Sequence, residues 1–158
     1  MRDPCYADYM KLSPAILTPN VRAQLQRVLL AEPIDVVYLF GSQATGKAGP
    51  LSDVDVGILP SEMLSSDERF DLRLKLMSSL ADAFDVNDVD VVDLTDRGAS
   101  TLIRFNAIQP SVVIFDRHPQ RRKRFEFETM RDYFDQYFYE KLMAERLIRR
   151  LAKRGLPQ

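Results

Sequence analysis

Hydrophobic positions along this chain come in two forms, short continuous blocks and longer stretches spaced by three and four, and the two forms alternate. The blocks Val36-Val37-Tyr38-Leu39-Phe40, Val56-Gly57-Ile58-Leu59, Val89-Asp90-Val91-Val92-Asp93-Leu94 and Val112-Val113-Ile114-Phe115 have the length and β-branched content of strands. They predict strands at about 35–40, 53–59, 89–94 and 112–115. Before the first block, Thr18 as N-cap and Pro19 at the first helical position open a helix to about Ala31, halted ahead of Pro33. Its inner face is Val21, Leu25, Val28 and Leu29. Ser65-Ser66-Asp67-Glu68 opens a second helix through Phe84, with Phe70, Leu72, Leu74, Leu76, Met77 and Leu80 as the expected buried side. A short helix is expected at about 99–108. From about Arg121 to Lys153 there is neither proline nor glycine. Phe127, Met130, Phe134, Tyr137, Phe138, Met143, Leu147 and Leu151 recur there at helical spacing, and Gly155 and Pro157 end the run.

The pattern is that of an α+β chain, a small mixed β-sheet flanked by helices (an α/β sandwich) and closed by one long aromatic-rich helix. With 158 residues, 46% hydrophobic, the chain suits a single domain, 1–158, with its own core and a loose N-terminus at about 1–17. No apolar run reaches the roughly 18 residues of a membrane span. Met1 to Tyr6 contain no signal core, which points to a cytoplasmic protein. Cys5 is the one cysteine, so no internal disulfide framework exists and an inert thiol is expected.

Charge is unevenly placed. Residues 1–116 carry ten basic and seventeen acidic side chains, and residues 117–158 carry twelve basic and six acidic. Such polarity marks either a partner surface or a solvated basic helix, and Arg121-Arg122-Lys123-Arg124 fits both.

The chemistry concentrates in residues 41–55, Gly-Ser-Gln-Ala-Thr-Gly-Lys-Ala-Gly-Pro-Leu-Ser-Asp-Val-Asp. A Gly-Ser turn leaves one strand, and two aspartates one residue apart enter the next. Strand alternation sends Asp53 and Asp55 to one side and Val54 to the other. Carboxylates held that close repel unless a cation lies between them, and oxygen-only ligands suit Mg²⁺ with substrate phosphates. This predicts metal-dependent phosphoryl or nucleotidyl transfer. Gly41-x₄-Gly46-Lys47 also approaches a P-loop. That motif needs Ser or Thr after the lysine and a helix starting there; Ala48 offers no oxygen, and Gly49-Pro50 disfavour helix. Gly41 and Ser42 instead offer a close backbone approach and N–H and hydroxyl donors to a phosphate, with a helical turn beginning at Ser42 adding its dipole. Lys47 is a candidate for screening triphosphate charge, and Thr45 a weaker one.

Gly41-Ser42, the ten-residue spacer and Asp53-x-Asp55 resemble the signature of the DNA polymerase β-like nucleotidyltransferase superfamily. The chain length, the Gly-Pro-Leu-Ser-Asp-Val-Asp wording and the long terminal helix resemble its minimal nucleotidyltransferase (MNT) branch. The resemblance spans about residues 30–150. It implies the nucleotidyltransferase fold and a third carboxylate on a later strand, matched here by Asp90, an aspartate among Val89, Val91 and Val92 in a strand that otherwise looks buried. Asp88, beside Asn87 at the strand's start, is expected to be solvent-exposed, and Asp93 to point to the opposite face in a structural role. Many members carry arginine in the turn where this chain has Gln43 or Thr45.

The resemblance further implies ATP as substrate, two Mg²⁺ ions held by Asp53, Asp55 and Asp90, and phosphates over Gly41-Ser42. It implies an antitoxin that places AMP on a tyrosine of a HEPN-domain ribonuclease toxin. This chain is not that toxin, which needs Arg-x₄₋₆-His; the one histidine, His118, has no arginine at that spacing and reads as an exposed turn residue. Two other functions stay open: a binding-only antitoxin with a silent site, and a small-molecule nucleotidyltransferase of the aminoglycoside type. Nucleic acid is disfavoured as the main ligand because acidic residues surround the expected site. Phe125-Glu126-Phe127 and Tyr133 to Tyr139 make the last helix aromatic on more than one side. One stripe is expected to pack the core; a second, including Tyr133 and Tyr139, is expected to dock a partner helix or a second copy.

Overall fold

A computed structural model describes residues 14–49 and 52–154. In chain order it contains α1 (Pro19–Leu30), β1 (Ile34–Phe40), α2 (Gly41–Thr45), β2 (Val54–Pro60), α3 (Ser66–Phe84), β3 (Val89–Asp93), α4 (Thr101–Ile108), β4 (Val112–Asp116) and α5 (Pro119–Arg154). Each expected element is present with ends shifted by a residue or two. Cys5, Gly155 and Pro157 lie outside the described residues, as do residues 1–13 of the stretch expected to be loose. In the remainder of that stretch Leu17 is 5% exposed and packs on the core. No helix among the described residues is long and apolar enough to cross a membrane.

The sheet is mixed, in the order β3-β2-β1-β4. β1 runs antiparallel to both β2 and β4, while β2 and β3 are parallel. All seven residues of β1 are buried, which explains why it reads as a continuous apolar run rather than an alternating one. Val37 and Leu39 face one cluster with Leu25, Leu29, Leu72, Leu76 and Leu80. Val36, Tyr38 and Phe40 face a second cluster with Leu94, Ala107 and Phe125. Gly57 lets the second layer close: a Cβ there would lie 2.8 Å from Leu94 Cδ1 and 3.4 Å from Ala107 Cβ.

Local signals explain the helix starts. The Thr18 hydroxyl accepts from the Val21 amide at 3.3 Å. Ser65 and Glu68 form a reciprocal capping box, the Glu68 carboxylate accepting the Ser65 amide at 2.8 Å, which holds the Glu68 carboxyl below its ordinary value. α3 corrects one expectation. Phe70 and Leu74 are 56% and 50% exposed, because two residues off the Leu72-Leu76-Leu80 row lies on the far side of a 3.6-residue helix.

α5 supplies the larger correction. Its first turns are bolted to the sheet. Arg121 pairs with buried Asp35 and donates to the Pro60 carbonyl at 2.6 Å. Arg122 donates to Asp116 at 2.7 Å and Glu126 at 2.9 Å, and the Tyr38 hydroxyl donates to Glu126 at 3.3 Å. Burial and the Glu126 charge push the Tyr38 phenol far above its ordinary pKa. The basic run is therefore half anchor: Arg121 and Arg122 are held internally, and only Lys123 and Arg124 are exposed. His118 is exposed, as expected, 3.5 Å from Asp35. Tyr133, expected on a docking stripe, instead stacks on Phe105 with ring centroids 3.8 Å apart. From Phe134 to Ala152 every residue is exposed, and beyond Phe134, which meets Phe105 edge-on at 6.1 Å between centroids, the stripe assigned to core packing has no core beneath it.

Gly57→Val should overpack the interface of β2 with Leu94 and Ala107, costing about 1–3 kcal/mol; urea unfolding of the two proteins measures it.

Candidate functional site

Strand pairing brings the two halves of the 41–55 motif together. Phe40, the last residue of β1, stands opposite Asp55, and Gly41 follows at once. Gly41 has φ +70°, a conformation that favours glycine, and a Cβ on it would overlap Asp55 Oδ2 and lie 3.1 Å from Asp55 Cγ. The Asp55 carboxylate thus rests against bare backbone, which only glycine permits. α2 begins at Gly41 rather than Ser42, and its N-cap, Phe40, has no side-chain oxygen to satisfy the first amides.

The rest of the turn is braced locally. The Thr45 hydroxyl donates to the carbonyls of Gly41 at 3.1 Å and Ser42 at 3.2 Å, so Thr45 is engaged in holding α2. Gln43 Nε2 donates to the Ser52 carbonyl at 3.4 Å, tying the turn to the segment before Asp53. Ser52 Oγ in turn accepts from the Gly49 amide at 2.8 Å. Gly46, at φ +71°, ends α2 before Lys47, so no helix starts where a P-loop requires one. Lys47 is exposed, with no ion pair among the described residues. The braces from Gln43 and Ser52 were invisible in the sequence, because they join residues nine apart across an irregular turn.

Parallel pairing of β2 with β3 sets Asp55 directly beside Asp90. Asp53 precedes β2 by one residue and Asp55 by two, which places it on the same side. Asp90 is exposed rather than buried, because β3 is the sheet's edge strand. The Asp55 carboxyl is pushed above its ordinary value, first by partial burial, then by the charge of Asp90, then by that of Asp53. The three carboxylates therefore repel one another at one end of the sheet. Asp88 is exposed and accepts from the Val89 amide at 3.0 Å. Asp93 is 6% exposed, accepts from the Thr95 amide at 2.8 Å and hydroxyl at 2.6 Å, and lies 3.6 Å from Arg69. Both act structurally.

Among the described residues no three His, Cys, Asp or Glu side chains already enclose a position for an ion. The trio is a row of neighbours, not a closed cage. Its chemistry nonetheless fits a hard divalent cation: all donors are oxygens, their mutual repulsion is relieved by positive charge, and several coordination positions stay open for substrate and water.

Residues 23–120 match the family described as Polymerase beta, Nucleotidyltransferase. Over 70 residues the chain is 39% identical to the protein adenylyltransferase MntA of Shewanella oneidensis, an overlap of 44% of this chain; the match spans under half of that relative, 45% of its length. A chain of a crystal structure of a toxin–antitoxin pair with AMP-PNP superposes with a TM-score of 0.60 at 26% identity, covering 80% of this chain and 98% of that one. A chain of the tri-AMPylated Shewanella oneidensis HEPN toxin in complex with MNT antitoxin superposes with a TM-score of 0.56 over 81% of this chain and 96% of that one. At 23% identity this last likeness is one of fold.

The raised Asp55 carboxyl gives a signed expectation. Between the ordinary aspartate pKa and the raised native one, the native chain holds more protons than the unfolded chain, so stability falls as pH rises through that window. Above it the ionised group costs stability, and the metal-free Asp55→Asn protein should melt about 1–3 °C higher at neutral pH and lose that advantage in acid. Differential scanning calorimetry at both pH values tests the sign. Gly41→Ala should lower stability through strain and the clash with Asp55, by about 1–3 kcal/mol, and weaken nucleotide uptake in titration calorimetry.

Proposed function

Since this chain belongs to the polymerase beta nucleotidyltransferase family, we propose that it is an antitoxin that transfers AMP from ATP to a tyrosine hydroxyl of a HEPN-domain ribonuclease toxin. The observation that carries this reading is the register of three strands, which gathers Asp53, Asp55 and Asp90 beside the Gly41 turn. The relative named a protein adenylyltransferase and the neighbouring toxin–antitoxin complex with AMP-PNP support the choice of AMP as the group moved and of a protein as its acceptor. A cytoplasmic setting belongs to the same reading, since ATP is the substrate.

Asp53, Asp55 and Asp90 would hold Mg²⁺, two ions in this reading, which when bound supplies Lewis acidity at the phosphoryl oxygens and favours loss of the acceptor's proton. Around it the chain's own groups orient the reaction. The uncapped amides of Gly41 and Ser42 and the Ser42 hydroxyl face the phosphates as neutral donors. Gly41 keeps the backbone close enough for that contact, and Lys47, exposed at the end of the turn, adds positive charge near the departing pyrophosphate. The tyrosine oxygen bonds to the α-phosphorus and gives up its proton, while the α–β bridge bond breaks and pyrophosphate leaves with its electrons. In-line geometry comes from holding both partners against the fixed end of the sheet.

Asp53→Ala or Asp55→Ala should lower AMP transfer about 10²–10³-fold, in line with loss of a major electrostatic stabiliser, while circular dichroism stays native. Intact-mass spectrometry of the toxin after incubation with ATP and Mg²⁺ reads the outcome. Stepwise AMP gain supports the reading, and tight binding with unchanged toxin mass overturns it in favour of neutralisation by contact alone.

A further inference from the structure

We propose that α5 pairs with α5 of a second copy of this chain in an antiparallel two-helix seam, making the protein a dimer. The segment from Phe134 to Ala152 is exposed throughout, about 28 Å of helix at 1.5 Å per residue. Its exposed apolar side chains spread over more than one face, and one row among them keeps three-four spacing. Phe134, Tyr137, Lys141, Ala144, Ile148 and Leu151 form one a/d stripe, and its four large apolar members are 48–65% exposed. Phe134, at the start of the stripe, still meets Phe105 edge-on at 6.1 Å between ring centroids; beyond it the stripe is uncovered, and such a helix is stable when a second helix covers it.

The stripe is self-complementary in one direction only. Turning a second copy end for end about the midpoint of residues 142 and 143 sets Phe134 against Leu151 of the other copy, Tyr137 against Ile148, and Lys141 against Ala144. The one long polar member therefore meets the one small member, which leaves room for the lysine stem to lie across the seam. The Lys141 ammonium then reaches Glu145 of the other copy, one position beyond Ala144, and the symmetry makes that contact twice.

Charge selects the same direction. Residues 132–140 contain Asp132, Asp135 and Glu140 and no basic side chain, whereas residues 146–150 contain Arg146, Arg149 and Arg150 and no acidic one. Antiparallel pairing sets Asp135 opposite Arg150 of the other copy, while Glu140 faces Glu145 at the layer where Lys141 supplies the positive charge. Parallel pairing would set Lys141 against Lys141 and the arginine stretches side by side, a repulsive arrangement. Helix dipoles also oppose favourably when antiparallel. Phe138, Tyr139, Leu142, Met143 and Leu147 lie outside the seam.

Light scattering coupled to size exclusion, on the full chain across micromolar concentrations, tests the proposal. The wild-type chain should have the mass of two copies. Lys141→Glu and Glu145→Lys should each weaken dimerisation about tenfold or more, and the double variant Lys141→Glu/Glu145→Lys should restore it, with helicity by circular dichroism unchanged across the set. A wild-type chain that stays monomeric overturns the seam, as does a dimer indifferent to both single variants. So does a stripe whose backbone amides gain hydrogen-exchange protection only when a HEPN-domain toxin is added. The readout does not depend on nucleotide, so failure here is separable from failure of AMP transfer.

Discussion

Three carboxylates held at one end of a small sheet, against their own repulsion, are the constraint around which this protein is organised. Asp55 cannot move away from Asp90, because β2 and β3 are locked in register. Nor can it retreat toward β1, where the Gly41 backbone fills the space. The cost appears as a carboxyl pushed above its ordinary value. The compensation lies elsewhere in the chain: β1 and β2 are buried along nearly their whole length between two apolar layers. A core of that kind stores enough stability to hold an unfavourable cluster ready for a cation.

The same division of labour explains the glycines and the short helix. Gly41 serves the site by lacking a side chain beside Asp55, and Gly57 serves the scaffold by lacking one beneath Leu94. α2 is only five residues long and is braced by Thr45 and Gln43, so the turn is held from behind while its leading amides stay uncapped. That arrangement suits the proposed contact with phosphate oxygens, which needs donors that do not have to reorganise.

The last helix divides its length between two tasks. Arg121, Arg122 and Glu126 join it to Asp35, Asp116 and Tyr38 across the sheet end remote from the carboxylates. Arg117 adds to this by donating to the Leu30 carbonyl at 3.0 Å and the Glu32 carbonyl at 3.1 Å, closing the end of α1. Beyond the stack of Phe105 on Tyr133 the helix leaves the body, and its apolar side chains face outward. The basic excess of the C-terminal region therefore has two physical meanings, internal ion pairing near the body and an exposed, charge-patterned arm beyond it.

Strand positions, helix caps, the Gly-Ser turn and the Asp-x-Asp pair were legible in the sequence, because each follows from local chemistry: β-branched runs, Thr18-Pro19, Ser65 with Glu68, and alternation along β2. The mutual placement of Asp55 and Asp90 depended on which strands pair and in what register, which residues thirty-five apart in the chain cannot announce to each other. The burial of α5 was misread for a related reason. Periodicity reports that a helix has an apolar stripe, and it is silent about whether the surface that covers the stripe lies in the same molecule. Local sequence thus determined the elements and the reactive residue types, while long-range contact decided which carboxylates lie side by side and which apolar faces the body leaves uncovered.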